Sequence, residues 1–182
     1  VSQDVIDRAS NLVKSFDARV QAAPADAWGN QSPCADWKAR DVVVHVANNL
    51  SGLGNVLQGG QRHEVTPDED IVQAWNAARD AFLTGITTGD LSQSVPGPFG
   101  PMPAADLIGR MVCTDVLVHT WDLARAVGGD EVLDQDAVAG AYSGLKPMDA
   151  MIRTPGAFGA KVPCPDGADL QTEFLSFLGR QV

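Results

Sequence analysis

The sequence predicts an all-α protein: a four-helix bundle with a C-terminal extension packed on it. Four long stretches repeat apolar residues every three or four positions, the spacing that lines one face of a helix. The connections between them are rich in Gly, Pro, Asn and Asp, which favour turns. The length of 182 residues suits one core better than two.

The first stretch runs from Ser2 to about Ala23, with Val5, Ala9, Leu12, Val13, Phe16 and Val20 on one face. Ser2 suits its N-cap and Pro24 closes it. WGNQSPCADW then reads as a loop, and a second helix runs from about Trp37 to Leu57, ending at Gly59-Gly60. After QRHEVTPDED, a third helix occupies roughly Pro67 to Ile86, with Ile71, Trp75, Ala78 and Phe82 on one stripe. TTGDLSQSVPGPFGPMP carries too much Gly and Pro for a helix and has room for short extended pieces. Pro103 suits the first turn of a fourth helix, which continues to about Val127 and stops at Gly128-Gly129. The bundle thus spans about residues 1–128.

The extension, about residues 129–182, is less strongly patterned. Asp136 suits the cap of a helix reaching Leu145, and Ala168 to Arg180 reads as a short terminal helix. About 50 residues with few large apolar groups make a poor independent core. The extension is therefore expected to pack on the bundle, giving a single domain over 1–182.

A net charge of −10 and a pI near 4.5 oppose the phosphate-neutralising surface that nucleic-acid binding requires. No run of about 18 apolar residues offers a membrane span. The start, VSQDVIDRAS, lacks the pattern of a secretory signal. Cys34, Cys113 and Cys164 are unclustered, which argues against a disulfide framework and a C-x-x-C metal pair. These features together fit a cytoplasmic protein.

Two short stretches nearly repeat, RDVVVHV at 40–46 and TDVLVHT at 114–120. Each sets an acid four residues before a histidine, on one face of a helix. On the fourth helix the stripe is Ile108, Met111, Asp115, Val118, His119, Asp122 and Ala126, so the three polar members should point inward with the apolar ones. A carboxylate deep inside a helix is no cap, and burying it costs several kcal/mol unless it is paired or bound to a metal. Two readings follow: a buried Asp115–His119 ion pair with Asp122 reaching solvent, or two ligands of a metal whose third comes from a facing helix, with His45 the candidate. Asp41 lies within a turn of its helix start, where a carboxylate acts as a cap. His63 reads as a solvated loop residue, Cys113 as facing away from the stripe, and Trp28, Trp37, Trp75 and Trp121 as core or interface anchors.

SPCADWKARDVVVHVANNL, DVLVHTWDLARAVG and RTPGAFGAKVPCPDGADLQTEFLSFLGR carry a resemblance to a known group. The chain resembles the DinB-like metal-binding four-helix bundles, within them the mycothiol-dependent maleylpyruvate isomerase N-terminal domains and their short, mostly uncharacterised actinobacterial relatives. The resemblance implies a divalent metal, usually zinc, with nickel or another divalent ion as alternatives. Its ligands would be a histidine on the second helix and a carboxylate and a histidine four apart on a later one, matching His45, Asp115 and His119. Asp115 stands where the family carries a glutamate, one methylene longer, so the metal would sit closer to the helix or the helix would shift. Asp122 is then placed to orient a ligand as a hydrogen-bond acceptor.

Three protein ligands leave a position open. The implied activity is that of a transferase or isomerase in which a low-molecular-weight thiol such as mycothiol attacks a small electrophilic substrate, so that no protein cysteine need be the nucleophile. The alternatives are a non-catalytic bundle that binds a metal or small ligand, and an inert dimerising scaffold with a His–Asp pair in its core. The resemblance also implies a homodimer.

Overall fold

The computed structural model describes residues 2–61, 64–66, 69–98, 100–153 and 158–182. Among the described residues the chain is all-α apart from one small antiparallel two-stranded sheet. In order it forms α1 (Ser2–Ala22), α2 (Ala39–Leu57), α3 (Ile71–Thr88), β1 (Ser94–Val95), β2 (Met102–Pro103), α4 (Ala104–Leu107), a π-helical turn (Ile108–Val112), α5 (Cys113–Val127), α6 (Gln135–Leu145) and α7 (Leu170–Phe177). Two compact units result, Val1–Asp130 and Glu131–Val182. The side chain of Ser2, the expected helix start at Pro67 and the solvated residue His63 lie outside the described residues.

In the first unit, α1 buries Ala9, Leu12, Val13, Phe16 and Val20, the stripe its spacing defines. Each large apolar side chain removed from water contributes about 1.5–3 kcal/mol. The polar residue beside that stripe, Asp17, locks α1 to α3. Its Oδ1 accepts from Trp75 Nε1 at 2.8 Å and from Arg79 Nη1 at 2.7 Å. The Phe16 and Trp75 rings meet beneath it, their centroids 4.7 Å apart.

Helices α2 and α3 approach at two glycines. A Cβ on Gly54 would lie 2.5 Å from the Ala81 carbonyl oxygen, and one on Gly85 would lie 2.6 Å from the Gly54 carbonyl oxygen. Only backbone fits at this crossing.

The helix starts follow from their caps. At α2, Asp41 Oδ2 accepts from the Lys38 backbone N–H at 2.8 Å, so the helix begins at Ala39, slightly later than expected. Asp70 accepts from the backbone N–H of Val72 and Gln73 and starts α3 at Ile71 rather than near Pro67.

The expectation of one unbroken fourth helix from Pro103 needs correction. Pro103 is extended, with φ −56° and ψ 139°, and pairs with Ser94 across the two-residue ribbon. Beyond α4 the π turn sets the Cys113 N–H on the Ile108 carbonyl, one residue further back than an α-helix would. A count in steps of 3.6 residues does not detect one wide turn. Helix α5 ends as its glycines require, with Gly128 at φ 69° and the Gly129 N–H on the Ala124 carbonyl at 2.8 Å.

In the second unit the cap of α6 is Asp134, not Asp136, because the Asp134 side chain accepts from the Ala137 N–H at 2.8 Å. Helix α7 is shorter than Ala168 to Arg180, since Asp169 caps it at Thr172. Tyr142 of α6 faces Phe174 and Phe177 of α7, at centroid distances of 6.0 and 5.3 Å. No helix among the described residues is long and apolar enough to cross a membrane.

Candidate metal centre

On α2, one turn beyond the capping Asp41, His45 projects from the helix with its side chain 31% exposed. The first turn of α5 supplies Asp115, equally exposed, and the next turn supplies His119, 10% exposed. The crossing of α2 and α5 brings the three together. His45 Nε2 lies 3.2 Å from Asp115 Oδ1, and His119 Nε2 lies 3.5 Å from the same oxygen. Ligand atoms held tetrahedrally at about 2.0–2.2 Å from a zinc ion are separated by about 3.3–3.6 Å, close to both distances, and the three donor atoms all lie within 4.8 Å of one another, so they could hold a small divalent cation. The half-exposure of His45 and Asp115 leaves one side of the cluster open.

A metal taken by Nε2 requires the proton of His119 to sit on Nδ1, and Asp122 provides for this. Its carboxylate is fully buried, with Oδ2 2.9 Å from His119 Nδ1. Such a carboxylate fixes the imidazole tautomer and ring orientation. Asp122 thus lies in the core, not at solvent as the ion-pair reading placed it.

Burial alone would raise the carboxyl pKa of Asp115. The adjacent His119 charge and the hydrogen bonds to His119 and His45 outweigh it and hold the group well below the usual carboxylate range. For His119, burial opposes the charged form, but the Asp115 charge and hydrogen bonds to Asp115, Asp122 and Cys34 push its pKa well above the ordinary histidine value. Both shifts favour a carboxylate beside an imidazolium, so a cation held by His119 Nε2 would have to displace the proton there.

The two DVxVH strings therefore diverge. Asp41 stays outside the cluster on the Lys38 N–H, whereas His45, Asp115 and His119 converge.

Three neighbours were not singled out for the cluster by sequence. Trp37, expected to be a core or interface anchor, lies against the histidine rings, with centroids 4.8 Å from His45 and 5.6 Å from His119. Cys34 Sγ lies 3.4 Å from Asp122 Oδ2. Both are delivered by the SPCADW loop, which Ser32 tightens by donating Oγ–H to the Trp37 carbonyl at 2.7 Å. The third, Asn49, is one turn beyond His45 on α2 and donates from Nδ2 to Asp115 Oδ2 at 3.3 Å. The i, i+4 rule that paired Asp115 with His119 would also have found Asn49 from His45. Nothing in the loop's composition pointed Cys34 at Asp122.

Cys34, His119 and Asp122 also lie close enough together to hold an ion. The 2.9 Å contact and the complete burial of Asp122 read instead as a hydrogen-bonded support behind His119. Cys113 is buried, and burial pushes its thiol pKa up, the opposite of nucleophile activation.

A mostly helical chain with a His/Asp/His cluster between two bundle helices belongs to a recognisable class. The sequence model of the mycothiol maleylpyruvate isomerase N-terminal domain matches residues 10–124, which include the whole cluster. The chain belongs to that family. It is also similar to two uncharacterized proteins from two strains of Mycobacterium tuberculosis, MT0763 and Rv0738. Each is 29% identical over 170 residues, covering 92% of this chain and 93% of the relative. No solved structure matches the chain.

Proposed function

We propose that His45, Asp115 and His119 hold a divalent metal ion, zinc in preference to nickel or another divalent ion, and that the chain is a transferase or isomerase using a low-molecular-weight thiol such as mycothiol on a small electrophilic substrate. The observation that carries this reading is the pair of separations from Asp115 Oδ1, 3.2 Å to His45 Nε2 and 3.5 Å to His119 Nε2, with the far nitrogen of His119 on a buried carboxylate. Family membership supports the thiol.

Within this reading each residue has a definite task. His45 and His119 present Nε2 and Asp115 presents Oδ1, while Asp122 keeps the His119 proton on Nδ1. The Trp37 ring walls the two imidazoles and offers an apolar face to the organic part of a ligand. When bound, the cation supplies Lewis acidity that lowers the pKa of a thiol at the open position. The sulfur nucleophile then comes from the small thiol, and Cys34 is left to its contact with Asp122.

A thiol-conjugation assay tests the activity. Metal-replete protein, mycothiol and a panel of small electrophiles should show a rate that disappears in chelator and returns with zinc. Stoichiometric metal without any metal-dependent rate would leave a non-catalytic metal-binding bundle in place of an enzyme.

A further inference from the structure

The two oxygens of Asp115 have different surroundings. Oδ1 faces both histidine Nε2 atoms, whereas Oδ2 accepts a hydrogen bond from Asn49 Nδ2 at 3.3 Å. The orientation of the Asn49 amide follows from its neighbour, because turning it over would set its carbonyl oxygen against the carboxylate. Asn49 and His45 are one turn apart on α2, so the element that supplies one ligand also restrains another from the facing helix. This bond does not depend on the His45 tautomer, unlike the 3.1 Å contact between Asn49 Nδ2 and His45 Nε2.

We propose that Asn49 is a positioning residue of the metal centre: by occupying Asp115 Oδ2 it makes Asp115 a one-oxygen ligand, and so keeps the centre at three protein ligands and one open position. The inference rests on the metal reading and deepens it. A carboxylate free to turn can chelate with both oxygens, which suits larger cations of higher coordination number. One oxygen with two imidazoles suits a small tetrahedral cation. Asn49 thereby selects the class of metal and preserves the position that a small ligand needs.

The test replaces Asn49 by Ala and, in a second variant, by Leu, which keeps the branched side-chain shape without the amide. Folding is checked by circular-dichroism melting. Zinc affinity is measured by competition with a chromophoric chelator, and coordination is read from the visible spectrum of the cobalt(II)-substituted protein. The expected result is an intense four-coordinate cobalt spectrum in the wild type, and weaker bands of higher coordination in Asn49→Ala and Asn49→Leu. Zinc affinity should fall about 10–100-fold in both. Folded variants whose cobalt spectrum matches the wild type would overturn the proposal, whether or not zinc binding had weakened. Wild-type protein that takes up neither zinc nor cobalt would instead remove the metal reading itself, and this inference with it.

Discussion

Asp41 and His45 sit four residues apart on α2, as Asp115 and His119 do on α5, yet only one member of the first pair reaches the cluster. Continuity of the helix decides this: Asp41 meets a free backbone N–H at the start of α2, whereas α5 runs on directly from the helical π turn and leaves none for Asp115. Asp41→Ala is therefore expected to cost about 0.5–2 kcal/mol of stability in denaturant titration and to leave metal uptake intact. Asp122 acts through His119: Asp122→Asn should keep the fold and weaken zinc binding by about 10–100-fold, measured by chelator competition. Unchanged affinity would show that the His119 orientation does not need the buried charge. At this scale the sequence showed His45, Asp115, His119 and Asp122, because each lies on a helical stripe whose phase the apolar residues set. Cys34 and Trp37 were not placed beside the cluster, because the hydrogen bonds of an irregular loop, which have no period, aim their side chains.

Helices α2 and α3 cross where Gly54 and Gly85 present bare backbone. Gly54→Ala and Gly85→Ala should each destabilise the protein by at least about 1–3 kcal/mol in chemical denaturation, since the added methyl meets backbone rather than a movable side chain. Gly140 on α6 is the control, for a Cβ there meets nothing within 4 Å. Gly140→Ala should be neutral or stabilising by about 0.5–1 kcal/mol. The joint between α1 and α3 gives a pH dependence. Burial pulls Asp17 upward, but hydrogen bonds from Trp75, Gln21 and Arg79 and the Arg79 charge prevail and lower its pKa. A carboxyl lowered on folding stabilises fully above its unfolded value near 3.8, and the stabilisation is lost as pH falls through the folded value. Stability of the wild type should therefore fall below about pH 4, and Asp17→Asn should flatten that part of the curve in thermal melts. Helix existence was legible in the sequence from periodicity. The start of α6 and the π turn were not, because neighbouring aspartates compete for a cap and a wide turn leaves the apolar spacing nearly unchanged.

In the whole chain the proposed metal centre lies where α2 faces α5. Binding to the folded state alone stabilises it, by about 2.7 kcal/mol at a free metal concentration of 100 times Kd. Thermal melts should accordingly rise with added zinc and fall in chelator, and His119→Ala should abolish the difference. Fold class and the His45–Asp115–His119 cluster were legible at this scale because a bundle core forces the polar residues of an apolar stripe to meet one another. The contacts of Tyr142 with Phe174 and Phe177 were not, since they join residues far apart in sequence. Metal content of the purified protein, measured for the wild type beside His45→Ala, Asp115→Ala, His119→Ala and Asp41→Ala, bears most directly on the proposed centre. About one divalent ion per chain is expected in the wild type and in Asp41→Ala, with loss in the other three. A wild type without stoichiometric metal, or metal stripped by Asp41→Ala and kept by Asp115→Ala, would contradict it.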